Sequence, residues 1–497
     1  MCPTSVDIWA VGIAVVIGGQ YFSWNEGLAA GSVSYGIAVG AMGMAYLCLT
    51  LSMAEMTSMM PFAGGAYGLG RCTLGFFTGF LLGCCETLEY ILYVTCSCLT
   101  LSRMLATKWP ELDKCKYLVW AMSYVVACLA LARGGRTYWM WNRAMAAISL
   151  GIVVIFCLGS LPFVDTTLPF QSDYFVVGDL TDFIEAFPKA AWFFIGIESL
   201  NTLSNAVPNP KSTIPRGQLA SMVTLLITAT WTYVVCMLLP PGLPTLSAEL
   251  SPLNRGFTRM FNISNATATL LAVPATFATA QGFMLSYSNI LMAMANSKLL
   301  PAFLATRHTS FGTPVNALVS GTMVSFALCF VVDAWSLDQY VFNACMLFAF
   351  TSYTAQCLGY IFLKTHHKTT KRLFTSPLGI GGAVFAMCVW VLNTIGIVAF
   401  QGDHQMSLIF VVLLVGVCSG YYHGYAKHHQ SFSEEEQKIM LFAHIAIHNS
   451  AKAKQAKRSK GSLSSRGSTR KMSKRYLQVG VRPSSSVAVT NTTAIES

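Results

Sequence analysis

The strongest constraint in this sequence is a series of apolar stretches about twenty residues long, separated by short polar breaks. Each is long enough to cross a hydrocarbon core of about 30 Å as an α-helix. The pattern therefore predicts an all-α integral membrane protein with twelve membrane helices. We place them at residues 8–28, 35–57, 76–101, 117–132, 141–163, 186–207, 219–239, 269–295, 314–332, 337–363, 379–400 and 406–425.

Composition excludes several other classes of protein. Charged residues make up 11% of the 497 residues, whereas an average soluble protein is about 25% charged, so a soluble enzyme is excluded. The net charge of +11 does not indicate nucleic-acid binding, because 13 of the 32 Lys and Arg residues lie from Lys427 onward, in a C-terminal tail. The cysteines and histidines lack metal-site spacing, so neither a metal nor a cofactor is expected.

Loop charges predict the orientation. The loops on the side of the N-terminus carry 12 Lys and Arg residues, and the opposite loops carry 7. The positive-inside rule then places both termini in the cytoplasm, most simply of a plasma-membrane protein. Asn262 and Asn265 begin N-glycosylation sequons in an outside loop, whereas a third sequon, at Asn491, lies in the tail.

The tail, residues 426–497, is basic and serine-rich. The run Ser433-Glu434-Glu435-Glu436 is typical of a helix start and predicts a short amphipathic helix. A solvated, disordered tail is the preferred interpretation. The alternative is an interfacial helix with a polybasic segment on anionic lipid, released when kinases phosphorylate serines such as Ser468 and Ser473.

Glycines interrupt two of the predicted helices. Gly18 and Gly19 are adjacent within the first helix, and Gly196 lies in the middle of the sixth. Glycine weakens a helix, and an unwound segment in a membrane exposes backbone groups that need a partner. We therefore predict broken helices at these points, with close helix packing through small residues as the alternative.

Carboxylates occur inside the predicted membrane helices. Glu86 and Glu89 lie three residues apart on the third helix, and Glu198 follows the break in the sixth. An acid at the bilayer centre costs on the order of 2.5–3.5 kcal/mol, and the interiors of the predicted helices contain no Lys or Arg to neutralise it. Protonation, a bound cation or hydrogen bonds must compensate. The aromatic candidates for cation–π contact with an ammonium group are Trp192, Phe193, Phe194 and Tyr90. Aromatic side chains in membrane helices are more often packing residues, and Trp192, six residues before Glu198, is the strongest of the four.

Several motifs resemble those of one known superfamily. They are Gly18-Gly19-Gln20-Tyr21-Phe22-Ser23-Trp24-Asn25, Glu55 with residues 61–67, Gly79-Phe80 with residues 86–90, residues 192–199, and the Asn209-Pro210-Lys211 and residue 214–217 strings. Together these are similar to the amino acid–polyamine–organocation permeases, and above all to ethanolamine permeases.

This resemblance implies a LeuT-like fold. Residues 8–163 and 186–363 would form two inverted five-helix repeats, residues 379–425 would add two helices, and substrate would bind at broken helices one and six. The resemblance also implies that Gly18, Gly19 and Ile195 offer backbone groups, that Trp192 acts as a gate and that Glu86 faces the pocket. Gln20, Glu89, Tyr90, Gly196 and Glu198 complete the predicted substrate-binding set.

The sequence departs from these permeases at two places. Asn205-Ala206 stands where a Glu pair is frequent, and Asn289 and Asn296 stand where arginines are frequent. These changes leave substrate and coupling ion open. We expect a secondary transporter of small amines, with ethanolamine-like cations favoured. An amino-acid permease and a non-transporting sensor are the alternatives, and protons, sodium or a counter-substrate could drive transport.

The predicted topology is tested by glycosylation in a eukaryotic host. Asn262 or Asn265 should carry glycan because both lie in the predicted outside loop. The double Asn262→Gln/Asn265→Gln variant should then lose the slower-migrating band, and Asn491→Gln should retain it. Loss of the band in Asn491→Gln alone would invert the topology.

Overall fold

The computed structural model describes residues 2–62, 64–168, 179–368 and 372–437. The described residues form an all-helical bundle without strands. Ten of their helices are long and apolar enough to cross a membrane, and a bent pair at the N-terminus makes an eleventh span. The predicted multi-pass helical class is confirmed.

We number the membrane helices and the two interrupted ones α1 to α12. They are α1 (Ser5–Val16), α2 (Ser32–Met59), α3 (Phe76–Lys108), α4 (Lys116–Arg133), α5 (Gly135–Gly159), α6 (Leu180–Ala186), α7 (Pro210–Leu238), α8 (Val273–Asn296), α9 (Val315–Trp335), α10 (Asp338–His366), α11 (Gly379–Phe400) and α12 (Met406–Tyr421). Shorter helices connect them, among them Ala66–Thr73, Asn254–Phe261 and Asn265–Thr269.

The predicted break in the sixth span is present. Residues 186–207 do not form one α-helix, since α6 ends at Ala186 and gives way to two 3₁₀ turns, Phe187–Phe193 and Ile197–Leu203. The first span is interrupted too, because α1 continues as the 3₁₀ turn Ile17–Gln20 and then bends by 45° into Trp24–Ala30. Both interruptions fall beside the glycines that predicted them.

Helix starts follow local capping chemistry. Thr4 and Asp7 form a capping box at α1, and the Asp7 carboxylate also accepts a 2.7 Å hydrogen bond from Arg143 of α5. Asp179 caps α6 by accepting the N–H groups of Thr181 and Asp182, and these bonds hold the pKa of Asp179 below its ordinary value.

The centre of the bundle is built around α3. This helix packs against α8 and α10, while α1 and α2 both pack against α7. By contrast, few residues of α12 are buried, and Val412, Leu413 and Val417 are each more than half exposed. Such apolar exposure fits a lipid-facing helix, whereas the buried helices enclose both interruptions.

Three predictions are limited by what the structure describes. The inverted-repeat relationship and the repeat boundaries stay predictions. The predicted helix in the tail begins as expected, with Ser433 accepting the Glu436 N–H and residues 434–437 helical, but its continuation lies outside the described residues. Residues 438–497, which include Ser468, Ser473 and Asn491, lie outside them as well.

Asn262 and Asn265 are both exposed, as glycan acceptors must be.

A buried ion-pair network fixes the end of α2. The Glu55 carboxylate accepts hydrogen bonds from Lys364 at 2.7 Å, Arg372 at 2.6 Å and Tyr360 at 2.7 Å, and also from the Ser376 backbone N–H. It thereby ties α2 to α10 and to the chain that follows α10.

Glu55→Gln should destabilise the protein by about 3 kcal/mol, because removing the charge leaves the partly buried Lys364 and Arg372 without their shared partner. Its thermal midpoint in detergent, followed by size-exclusion chromatography, should fall well below that of the parent. The matched control is Glu26→Gln, since Glu26 is 59% exposed in its ion pair with Lys189 and should change little. Equal midpoints for the two variants would contradict the structural role of Glu55.

Candidate functional site

The break in the sixth span centres on Gly196. This glycine has φ of +105°, a conformation that other residues rarely adopt. Its N–H donates to Glu198 Oε2 at 3.2 Å, and its carbonyl accepts the Ser199 hydroxyl at 2.6 Å. The Glu198 side chain therefore folds back onto the interrupted backbone and meets one of the donors that the break exposes.

The break in the first span lies directly against the sixth. A Cβ added to Gly19 would stand 1.8 Å from the Trp192 carbonyl oxygen, and one added to Gly18 would stand 2.3 Å from Thr279 Oγ1 on α8. These glycines therefore lie at a helix break and also allow close packing, so both interpretations of them apply. The Ile195 N–H donates to the Ala191 carbonyl at 3.0 Å, so that donor is already used.

Glu86 and Glu198 meet at one tyrosine. The Tyr90 hydroxyl lies 3.2 Å from Glu86 Oε1 and 3.3 Å from Glu198 Oε1. The other oxygen of Glu86 accepts the Ala66 N–H at 2.9 Å. Since a phenol has one proton to donate, it satisfies one carboxylate at a time, and the other carboxylate needs a proton or a cation.

Glu89 faces a different helix. Its Oε1 accepts the Tyr353 hydroxyl of α10 at 2.8 Å, while Oε2 is buried without a hydrogen-bond partner among the described residues. The Tyr353 hydroxyl also interacts with the Glu198 carboxyl group. Glu86, Tyr90, Glu198, Tyr353 and Glu89 thus form one chain of three carboxyl groups and two phenols, which we call the carboxyl chain.

The carboxyl chain has no basic partner among the described residues. Glu86, Glu89 and Glu198 are each at most 1% exposed, and none forms an ion pair with a Lys or Arg in the part of the chain that the structure describes. Buried carboxylates without a cation are costly. The site is therefore short of positive charge or protons.

Aromatic rings connect the carboxyl chain to Trp192. Tyr90 stacks on Phe283 of α8 with centroids 5.3 Å apart, Tyr93 lies 5.0 Å from Phe283, and Trp192 lies 6.0 Å from Tyr93. Trp192 also stacks on Phe342 of α10. It borders a cavity of about 310 Å³ that is also lined by Phe22, Ser23, Glu26, Arg103, Lys189 and Asp338.

The structure thus gathers most of the predicted residues at the two breaks. Gln20 is fully buried there, with Nε2 donating to the Leu225 carbonyl at 3.2 Å and Oε1 without a partner among the described residues. Sequence analysis missed Tyr353 and Phe283, because a single aromatic residue within an apolar helix resembles a packing residue. The polar run Thr351-Ser352-Tyr353-Thr354 in α10 was the available signal.

A tight glycine contact is directly testable. Gly19→Ala should abolish substrate binding or prevent folding, since its methyl group would collide with the Trp192 carbonyl, a backbone atom that cannot move alone. Gly40→Ala is the matched control, because a Cβ at Gly40 on α2 meets no atom within 4 Å. Monodisperse yield and tracer binding are the measurements. Normal binding by Gly19→Ala would show that the two broken segments are not packed as described.

Comparison with known proteins identifies a family of amino acid permeases and several related transporters. The sequence profile of a family described as amino acid permease matches residues 6–418. An uncharacterized transporter of Rhizobium meliloti is 27% identical over 67% of this chain and 73% of its own length. The methylthioribose transporter of Bacillus subtilis is 22% identical over 79% of this chain and 88% of its own. A vacuolar cationic amino acid transporter of Arabidopsis thaliana is 24% identical over 70% and 61% respectively.

Proposed function

Because the chain belongs to the amino acid permease family, we propose that it is a secondary transporter of small cationic amines, of the ethanolamine kind, which works by alternating access. Family membership makes it a membrane transporter rather than an enzyme. The proposal adds the substrate class and the mechanism. It also adds the plasma membrane as the location, with both termini cytoplasmic.

The observation that carries the proposal is the uncompensated carboxyl chain. Glu86, Glu89 and Glu198 are buried with phenol and backbone donors only, and a substrate ammonium group would supply the missing positive charge. An ammonium group has three donors, so one such group can serve two carboxylates at once. A substrate carboxylate in the same place would add to the negative charge.

The neighbouring aromatic row supports the same class of ligand. The rings form a row in the spatial order Tyr90, Phe283, Tyr93 and Trp192. The centroids of neighbouring rings in this row are 5.0 to 6.0 Å apart. Aromatic faces attract a cation that lies within about 6 Å of the ring centroid, and the attraction grows when water is excluded. Trp192 separates the row from the 310 Å³ cavity, which suits the gating role that the resemblance implies.

A cationic or zwitterionic amino acid is the second candidate. The names of the relatives favour it, since one is a cationic amino acid transporter and another a branched-chain amino acid permease. An amino acid would need donors for its carboxylate. Helix breaks offer such donors in principle, because the N-terminus of a half-helix attracts anions. Either a proton or a sodium ion could neutralise the remaining carboxyl groups during transport.

Competition distinguishes the two substrate classes. Purified protein in proteoliposomes should accumulate labelled ethanolamine, and other amines without a carboxylate, such as agmatine, should compete with it. Glu86→Gln and Glu198→Gln should each weaken amine binding by about 1–3 kcal/mol, because the ammonium group loses a charged partner. Arginine, alanine and a carboxyl-blocked amino acid amide complete the competitor set.

The matched control is Glu111→Gln, an exposed loop acid that should leave affinity unchanged. If only compounds with a free α-carboxylate compete, and both Gln variants bind normally, the protein is an amino-acid permease with structural acids. Tracer binding without accumulation would instead identify a sensor.

A further inference from the structure

The chain that follows α12 returns to the bundle. Residues 431–437, which we call the latch, lie against the short helix Ala66–Thr73 and the end of α8. The Ser431 N–H donates to the Ser297 carbonyl at 3.0 Å, and the Phe432 ring lies 5.4 Å from Phe76 at the start of α3. By the loop-charge analysis this is the cytoplasmic face.

The latch is held by a buried ion pair. Glu436 Oε1 lies 2.9 Å from Arg71 Nη1, and the Glu436 and Arg71 side chains are only 1% and 2% exposed. Glu436 Oε2 accepts the Ser297 hydroxyl at 2.8 Å and the Ser433 N–H at 2.8 Å. Arg71 Nη1 also donates to the Tyr67 hydroxyl at 2.7 Å. In the described part of the chain, Glu436 is the sole carboxylate paired with Arg71.

A buried pair of this kind is costly to break, because releasing one charge leaves the other buried without compensation. The Phe432 ring covers the Arg71 guanidinium at 5.7 Å, with Phe76 at 5.0 Å on the same group. The latch therefore docks through a specific pocket rather than through general contact.

The latch also contacts three structural elements that lead back to the carboxyl chain. The short helix that carries Arg71 begins at Ala66, whose N–H binds Glu86. Asn205 follows the second half of the broken sixth span and donates to Glu435. The α8 helix, which carries Phe283, ends next to Ser297. All three elements are thus tied to one seven-residue segment.

A cavity lies beneath the latch. Its volume is about 420 Å³, and it is lined by Phe62, Asn205, Met292, Ala293, Asn296, Ser433, Glu434 and Glu435. Phe62 also borders a smaller cavity of about 20 Å³ that reaches Gly65, where a Cβ would stand 2.8 Å from the Glu86 carboxylate. Phe62 thus lines both the cavity at the latch and the smaller cavity at Gly65.

We propose that the latch is an autoinhibitory contact: Glu436 must leave Arg71 before this face of the transporter opens. The inference rests on the proposed function to the extent that an opening face serves to pass substrate. The latch contacts the short helix, the residues that follow the broken sixth span, and the end of α8, so an opening that separates these elements must first break those contacts. Weakening the latch should raise the population of the open state.

The first test removes the latch charge with an isosteric substitution. In full-length Glu436→Gln, amide hydrogen exchange of residues 66–73 and 431–437 should accelerate without substrate present, and ethanolamine uptake should rise by up to about tenfold if opening limits the rate. Glu111→Gln, on an exposed loop acid outside the latch, is the control. Exchange and uptake equal to those of the parent and of Glu111→Gln would overturn the latch.

A second test holds the latch shut and does not depend on the Gln variant folding. Ser297→Cys and Ser431→Cys together should form an oxidisable pair where the two backbones touch, and oxidation should block uptake until a reductant is added. Each single Cys variant controls for the native cysteines. Full uptake by the cross-linked protein would overturn the proposal. Absent uptake in the parent with accelerated exchange in Glu436→Gln would refute the substrate proposal and retain the latch.

Discussion

Interrupting a helix inside a membrane is the constraint on which the rest of this structure depends. Hydrocarbon offers no hydrogen bonds, so each break must be enclosed by protein that satisfies the released backbone groups. The breaks after Gln20 and at Gly196 are placed against each other, with Gly19 on the Trp192 carbonyl. They are enclosed by the buried helices α2, α3, α7, α8 and α10, while α12 faces outward. The arrangement of the helices follows from protecting these two points.

Because the same helices exclude water, the partners of the three carboxyl groups bear directly on function. In water, Glu86 or Glu198 would need no partner, but in a dry interior each charge requires compensation. Among the described residues, these carboxyl groups accept hydrogen bonds from hydroxyl and backbone donors and form no ion pair with Lys or Arg. By contrast, Glu55 and Glu436 are both paired with Lys or Arg. This contrast separates acids that are held in ion pairs within the protein from the acids that the proposed function assigns to a substrate cation.

Glu436 and the carboxyl chain are connected through the short helix Ala66–Thr73. At one end its Ala66 N–H meets Glu86, and at the other Arg71 meets Glu436. A rigid element that touches both a substrate site and a surface contact can transmit a shift from one to the other. The proposed regulation and the proposed binding chemistry thus depend on one piece of backbone.

The sequence by itself determined the class of the protein, because length and apolarity decide which segments can enter a membrane. It also located both helix breaks, since glycine weakens a helix wherever it is placed, and it marked Glu86, Glu89 and Glu198 as costly. It could not show that the sixth span is two 3₁₀ turns, that Tyr90 bridges two carboxyl groups or that Tyr353 meets Glu89 from a helix 264 residues away. It gave Glu436 only the role of a helix start. Partners distant in sequence carry no local signal, so only tertiary packing decided which acids are paired with Lys or Arg, as Glu55 and Glu436 are, and which are met by hydroxyl and backbone donors.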